Sequence, residues 1–581
     1  MRLLLAINFF LLSGMMLQAQ GNLIISELMY NPLSEDIQID GDEYEFIEFY
    51  NNGDAALDIS GYSITAGVTY TFPANTTLDA GAYLVIGRNP TQLAVRYPSL
   101  TVFGQYIGGL KNSGETITVV NGTTTIYELT FDDAAPFPTV ADGFGFSIVP
   151  VDENSTESPD NGTYWAASTN KYGSPGEQDP VSTNDYSIVV NELISSPSGS
   201  GIDQVEIYNA GSNSVDISYW LLTDDRATPQ KYQFPENTLL AAGGYLVVDE
   251  NDFNPFSLGF SLSRKGDGVY LFQADSSKNL LGYSHGWDFG AQIDGVSFGR
   301  HVNSIGDEYL FKQTTPSFGS ENAGPETGPL VFEQIMYSPD ALLDEFIIIK
   351  NISENSVTLI SDLLPDSNAY RLDGVTFKFP FSPGTTVAAG EGIVLTSIEA
   401  ETFRSKYSLD NDVQIFTYTG ALNNGGEELV IEYPAYRDTL TDGSYDNFYV
   451  TVDAVNYSNL SPWPDVDGNG FYLIRNPIDG FGTDPANWKD TNAAIAVAIK
   501  DVLAYETLNL YPTISADFVN LDAVNGKHNW MTYKIVDAKG LEIVNADYAG
   551  SEFDISNLNP GTYHLILNDS NRQYIGRFIK K

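Results

Sequence analysis

Glu43-Tyr-Glu-Phe-Ile-Glu-Phe-Tyr-Asn51 decides the fold, because the chain uses this stretch three times. It returns as Gln204-Val-Glu-Ile-Tyr-Asn209 and again as Phe346-Ile-Ile-Ile-Lys-Asn351. Each copy is a short run of β-branched, aromatic and acidic residues that stops at Asn and a turn, which is the composition of a strand. In the first copy the alternation sets Tyr44, Phe46 and Tyr50 on one face and Glu43, Glu45 and Phe49 on the other. Asn51-Asn-Gly-Asp54 then reads as a hairpin-type turn. A lead strand with Glu and Pro precedes each copy: Glu27 to Pro32, Glu192 to Pro197, Glu333 to Pro339. A motif used three times is a fold signature before it is a site.

The surrounding sequence repeats in the same order. Leu57-Asp-Ile-Ser-Gly-Tyr62 matches Val215-Asp-Ile-Ser-Tyr-Trp220, and Tyr70-Thr-Phe-Pro73 matches Tyr232-Gln-Phe-Pro235 and Phe377-Lys-Phe-Pro380. Leu110-Lys-Asn-Ser-Gly-Glu115 matches Leu262–Asp267 and Leu422–Glu427. Asp142-Gly143, Asp294-Gly295 and Asp467-Gly468 close the series. The lead glutamates are 165 and 141 residues apart, so the repeats are whole domains rather than solenoid units.

Composition agrees. The 581 residues hold 13% aromatic and 18% charged side chains, a globular balance with length for several cores. Gly 52 and Pro 28 imply many turns, and no helical period appears. The net charge of −48 repels phosphate backbones, so nucleic acid is not expected as a partner. With Cys 0 there is no disulfide, no thiol nucleophile and no lipoprotein anchor. Arg2, the apolar run Leu3–Leu12 and Ser13–Ala19 have a signal-peptide layout, with the cut after Ala19. No later apolar run is long enough to span a membrane, so no transmembrane segment is expected after signal cleavage.

These residues resemble the lamin-tail domain, in the order Glu…Tyr-Asn-Pro, Glu-Phe-Ile-Glu-Phe-Tyr-Asn, Asp-Ile-Ser-Gly-Tyr, Tyr-Thr-Phe-Pro, Gly-x-Tyr-Leu-Val-Ile, Asn-x-Gly-Glu, Asp-Gly. The resemblance implies an immunoglobulin-like β-sandwich that serves as an interaction module and travels on secreted and surface bacterial proteins, often beside hydrolases. The third copy lacks Asp-Ile-Ser-Gly-Tyr. From Leu503 a different unit begins, with Tyr533–Gly540, Phe553-Asp-Ile-Ser-Asn-Leu-Asn-Pro-Gly-Thr-Tyr-His-Leu565 and a basic Arg577-Phe-Ile-Lys-Lys581 end. It resembles the type A C-terminal sorting domain of the type IX secretion system, with Tyr511-Pro-Thr-Ile514 where that family has Tyr-Pro-Asn-Pro. That resemblance implies export to the surface or outer membrane of a Gram-negative bacterium.

The expected fold is therefore all-β: three tandem immunoglobulin-like sandwiches followed by a small C-terminal sandwich. Residues 1–19 are the signal peptide, 20–180, 184–325 and 328–492 the three lamin-tail copies, 493–502 a linker and 503–581 the sorting domain.

Chemistry is harder to find. His285 in Ser284-His-Gly-Trp-Asp288 has suggestive neighbours, but there is no Gly-x-Ser-x-Gly elbow and one copy of three carries it, so it reads as a loop residue. His528 and His564 fall in the sorting unit. Asp465-Val-Asp-Gly-Asn-Gly470 opens like an EF-hand loop, yet its twelfth position is Asn476 and its Asp-Gly is the turn shared by the other copies. The better calcium candidates are Asp36, Asp40, Asp42 and Glu43, with Glu35 beside them; the plainer reading is a solvated acidic loop. Glu45 and Glu48 are poorly placed as a glycosidase pair, and the second copy keeps only Glu206. Trp165, Trp220, Trp287, Trp463 and Trp488 read as core before they read as sugar platforms. No catalytic residue and no cofactor are assigned. The expected function is a secreted or surface binding or structural protein, handled by the type IX machinery through 503–581 and recognising a surface glycan or protein. The alternative is an accessory or cryptic secreted hydrolase.

Overall fold

The structure is a computed structural model that describes residues 23–182, 184–195, 201–340, 343–360, 369–374, 378–382, 384–492, 506–508, 510–521, 532–537, 542–547, 550–568 and 573–581. The leader 1–19, the linker 493–502, Phe377 and His528 lie outside these residues. The chain forms two compact units. One holds the residues up to His301 together with Glu308–Pro325; the other holds Val302–Asp307 and the residues from Glu326 on.

The first unit opens with a lead strand, Leu23–Met29, paired antiparallel with Phe46–Asn51. Phe46–Asn51 pairs on its other side with Tyr83–Gly87, and Val102–Gln105 adds to that strand in parallel. Ile148–Pro150 and Trp165–Ala167 extend the other end, giving six strands. The facing sheet has four: Thr124–Phe131, Glu115–Asn121, Ser63–Ala66 and Tyr70–Thr71. Ile25, Ile47 and Phe49 from one sheet meet Ile64, Ile117, Val119 and Leu129 from the other, all buried. The two inner faces thus build one core, as in an immunoglobulin-like sandwich.

The same order returns twice. Ile188–Ile194, Gln204–Asn209, Tyr245–Asp249, Phe298–Val302 and Glu308–Lys312 form a five-stranded sheet opposite Tyr232–Gln233, Leu221–Thr223, Asp267–Ala274 and Leu280–Phe289. In the second unit a six-stranded sheet centred on Leu330–Met336 and Phe346–Asn351 faces four strands that include the long hairpin Gly426–Thr439 with Tyr445–Ser458. The C-terminal residues form a further pair of sheets, one of six strands that has Gln573–Lys580 in its interior and one of three. Leu508, Val519, Ile535, Phe553, Leu565 and Phe578 pack between them. No described helix is long and apolar enough to cross a membrane.

The first two sandwiches share an apolar joint. Val140, Phe146 and Ala167 pack with Leu221, Phe272 and Ala274, and the Thr139 and Ser284 hydroxyls meet at 2.9 Å.

Three expectations need correction. The strand of the defining stretch begins at Phe46, because Gly41–Tyr44 winds into a 3-10 turn capped by Asp40. Asn51-Asn-Gly-Asp54 does not close a hairpin: Phe46–Asn51 and the next strand, Leu57–Asp58, belong to different sheets, so the turn carries the chain across the sandwich. And Glu333 is not the counterpart of Glu27 and Glu192. Each lead strand has a one-residue bulge, and beyond it Glu27 pairs with Glu48, Glu192 with Glu206 and Gln334 with Ile348. The position belongs to Gln334; Glu333 instead meets Lys350 at 2.9 Å.

Candidate functional site

The repeated polar residues converge on the backbone. Asn51 ends its strand fully buried; its amide donates to the Ala55 and Leu78 carbonyls, both at 2.9 Å, and its Oδ1 accepts from Gly53 N at 3.0 Å. Asn209 repeats all three bonds with Asn213, Leu240 and Gly211, and Asn351 with Asn355, Val387 and Ser353. A chain leaving one sheet for the other strands carbonyls and an amide in the core, and one Asn satisfies them. Asp58 and Asp216 do related local work, accepting from the amides of Ser60 and Ser218, whose hydroxyls then accept from Thr76 N and Thr238 N. The third copy has Thr358 and Ile360 at these places.

The paired glutamates form a latch. Glu27 accepts from the Ser147 hydroxyl at 2.5 Å and from Ser174 N at 3.0 Å; Glu48, its cross-strand neighbour, accepts from Ser26 Oγ at 2.8 Å and Gly176 N at 2.5 Å. In the second copy Glu192 accepts from Ser297 Oγ and Ser317 N, and Glu206 from Asn191 Nδ2 and Gly319 N. Both pairs therefore hold the last loop of their sandwich by its amides. A Cβ on Gly173 would lie 1.9 Å from Glu27 Oε1, at a φ of +78°, so only glycine admits the loop this closely. Burial pushes the Glu48 carboxyl up to about 8. Glu27 is raised well above the usual range by burial and by Glu48 beside it.

A third carboxylate pins the segment that enters the facing sheet. Glu45 accepts from Leu110 N and the Tyr106 hydroxyl, both at 2.9 Å, and pairs with Arg88 at 2.7 Å; burial lifts it to about 7. Glu345 accepts from Leu422 N and Tyr418 OH, and Asp203 from Leu262 N. Glu45 and Glu48 thus serve separate parts of the scaffold.

The third copy has Gln334 and Ile348 where the others have the glutamate pair, and it buries an ion pair, Arg475 with Asp453, elsewhere in the sandwich. The contacts are 2.6 and 3.0 Å with side chains 0% and 1% exposed, and Asp453 also accepts from Phe332 N at 2.9 Å.

His285 lies on the strand Leu280–Phe289, not in a loop. Its Nδ1 accepts from Val190 N at 3.1 Å, its Nε2 meets Glu308 at 3.1 Å, and Trp287 donates to the Val190 carbonyl at 2.9 Å. Val190 flanks the bulge, where the lead strand falls out of register, and the facing sheet supplies its partners. Phe332, at the matching bulge, takes Asp453 for the same purpose. Arg300 and His285 outweigh the burial of Glu308 and hold it down to about 2. Ser284 and His285 are consecutive on a strand and face opposite ways, and Asp288 turns to Arg226 at 3.4 Å and to the Tyr270 hydroxyl. The three do not converge.

The acidic loop is divided among local partners. Asp36 accepts from Gln38 N, Asp40 from Asp42 N, Asp42 pairs with Arg88 at 3.0 Å, Glu43 accepts from Asn89 Nδ2 at 2.6 Å, and Glu35 takes Lys171 and Tyr172. Among the described residues no group of three or more His, Asp or Glu is arranged to hold a metal ion. Asp467 accepts from Ser338 Oγ, while Gly143, Gly295 and Gly468 share a positive φ, so Asp-Gly is a turn in every copy. The indoles of Trp165, Trp220, Trp463 and Trp488 are buried. An open cavity of about 770 Å³ lies in the first unit, lined by Asn31, Asp142, Asp224, Asp225, Arg226, Tyr270 and Asp288. Arg226 crosses it, donating to the Asp133 carbonyl at 3.2 Å.

The Lamin Tail Domain family matches residues 17–132 and 182–288, and the Secretion system C-terminal sorting domain family matches residues 509–581. The chain thus carries two lamin-tail domains in tandem and a C-terminal sorting domain. Both lamin-tail matches stop short of the sheets, which run on to Trp165–Ala167 and Glu308–Lys312 and to the latch loops. No curated protein matches. Among solved structures, a DUF4876 family protein from Bacteroides thetaiotaomicron is 11% identical over 53% of this chain and 93% of that one, with a TM-score of 0.18. PorZ, described as an essential bacterial surface component of the type-IX secretion system of Porphyromonas gingivalis, is 10% identical over 96% of this chain and 82% of that one, at 0.11.

Proposed function

We propose that this lamin-tail protein is a non-enzymatic binding or structural protein, exported through the type IX secretion system and displayed on or released from the surface of a Gram-negative bacterium. Its third sandwich is read as a divergent lamin-tail copy, and its ligand as a surface glycan or protein. One observation carries the reading: the acids that recur from copy to copy are spent on backbone amides and hydroxyls of the scaffold. A general acid or nucleophile must reach a substrate instead. The scaffold that remains offers sheet edges and loops.

Deleting residues 503–581 is expected to trap the protein in the periplasm, read by fractionation and surface proteolysis; a truncated chain that still reaches the surface refutes the export reading. The full chain, screened on glycan and surface-protein arrays beside a broad hydrolase panel, is expected to bind without turnover. Hydrolysis by purified protein overturns the non-enzymatic reading.

A further inference from the structure

Among the described residues, the second sandwich lacks a strand that its sisters have. In the first, the helix Pro90–Arg96 returns the chain so that Val102–Gln105 lies parallel to Tyr83–Gly87. In the third, the helix Ala400–Tyr407 does the same for Gln414–Thr417 against Gly392–Thr396. In the second, Tyr245–Asp249 is the last strand of its sheet. The chain from Asp249 to Leu262 is ten residues shorter than that from Gly87 to Leu110, and it is spent on two short turns, Glu250–Phe253 and Pro255–Ser257.

The edge left behind has a defined register. Gly244 O accepts from Asn209 N, and Glu250 N donates to Asp203 O, so by alternation Tyr245, Val247 and Asp249 turn their N–H and C=O outward. At the position of Asp249 the sisters use Gly87 O and Thr396 O to accept from Tyr106 N and Tyr418 N of the added strand. Those tyrosines then reach Glu45 and Glu345. Counted back from Leu262, the place of that tyrosine in the second copy falls to Leu258, 85% exposed, with Phe256 94% exposed two residues earlier. Leu246 and Val247 are half-buried, where Leu84, Val85, Ile393 and Val394 are buried. Between Lys231 and Arg264 the chain carries four carboxylates and no lysine or arginine.

We propose that Tyr245–Asp249 is a docking edge for an extended strand of a partner protein, added in parallel, with β-branched and aromatic residues flanked by basic ones. The sister strands, Val102-Phe-Gly-Gln-Tyr106 and Gln414-Ile-Phe-Thr-Tyr418, show which side chains this edge accommodates. The acidic surroundings, on a chain of net charge −48, select a basic partner and disfavour a second copy. Main-chain bonds to an open edge supply affinity and the side chains supply specificity. The inference rests on the binding role proposed above.

The probe is a labelled synthetic peptide, Gln-Ile-Phe-Thr-Tyr with two lysines at each end, titrated into the full chain by fluorescence anisotropy. Saturable binding is expected, weakened at least tenfold when glutamates replace the lysines. Val247→Pro removes an outward N–H without touching the inner ladder and is expected to weaken binding at least tenfold. The double variant F256D/L258D alters exposed side chains only; it is expected to weaken binding too, and it decides the matter if the proline variant does not fold. Absence of saturable binding, binding that survives F256D/L258D, or equal binding of the glutamate-flanked peptide overturns the proposal. So does sedimentation showing a dimer of the chain that Val247→Pro dissolves, which would give the edge to a second copy. Array binding that persists while the peptide fails sinks the edge and spares the binding role.

Discussion

Asp453→Ala tests the buried ion pair of the third sandwich. The substitution strips the bidentate partner from Arg475, whose side chain is 0% exposed, and leaves Phe332 N–H without its acceptor. Arg475 keeps only backbone carbonyls, Gly480 O accepting from Nε at 2.9 Å and from Nη2, and Phe332 O from Nη1 at 3.4 Å. Removing one member of a buried ion pair costs about 3–5 kcal/mol, because the remaining charge is stranded away from water. At about 1.4 kcal/mol per tenfold, amides of Leu330–Met336 and Tyr472–Arg475 should exchange about 100- to 4,000-fold faster. Hydrogen exchange on the full chain reads this segment by segment, with Leu23–Met29 of the first sandwich as an internal reference that should not move. The double variant D453L/R475M removes both charges and should recover much of the loss. It still orphans Phe332 N–H, so about 1–3 kcal/mol of the defect should remain. An effect under tenfold for the single variant, or a double variant no better than the single, refutes the account.

Asn51→Ala removes three buried hydrogen bonds at once and should destabilise the first sandwich by about 3 kcal/mol; exchange at Gly53 should rise well before that of the second sandwich. The first sandwich should also lose stability as pH rises from about 5 to 8. Glu48 keeps its proton in the fold up to about 8 but sheds it near the ordinary carboxylate value when unfolded, so the folded state binds more protons across that window. Glu48→Gln should flatten this slope, read as the urea midpoint against pH; an unchanged slope refutes it.

Much of the scaffold was legible because it rests on local rules. Alternation put Phe46 and Phe49 on opposite faces, and they sit in separate clusters, Phe46 with Met29 and Leu93 and Phe49 in the main core. What was not legible depends on register and on contacts distant in sequence. Every lead strand carries its bulge at the same place, so Glu333 looked like Glu27 by residue type alone, although the pairing gives that place to Gln334. His285 read as a loop residue because one copy of three carries it, yet it lies on the ten-residue strand Leu280–Phe289. The glutamate latches were invisible for a related reason: Ser174 and Ser317 are ordinary serines until the fold brings them under carboxylates 147 and 125 residues earlier. Asp453 and Arg475 give no sign of pairing, since one stands on a long hairpin and the other on an edge-side strand. The shortened crossover after Asp249 has no motif of its own, and only the sheet order shows that a strand is missing with it.

The latch also sets when each of the first two sandwiches can be finished. Glu27 sits in the first strand to emerge and Ser174 in the last loop, so a nascent copy cannot seal until its final residues are free. Until then two acidic side chains stand beside one another on an incomplete sheet, and their mutual repulsion discourages premature closure.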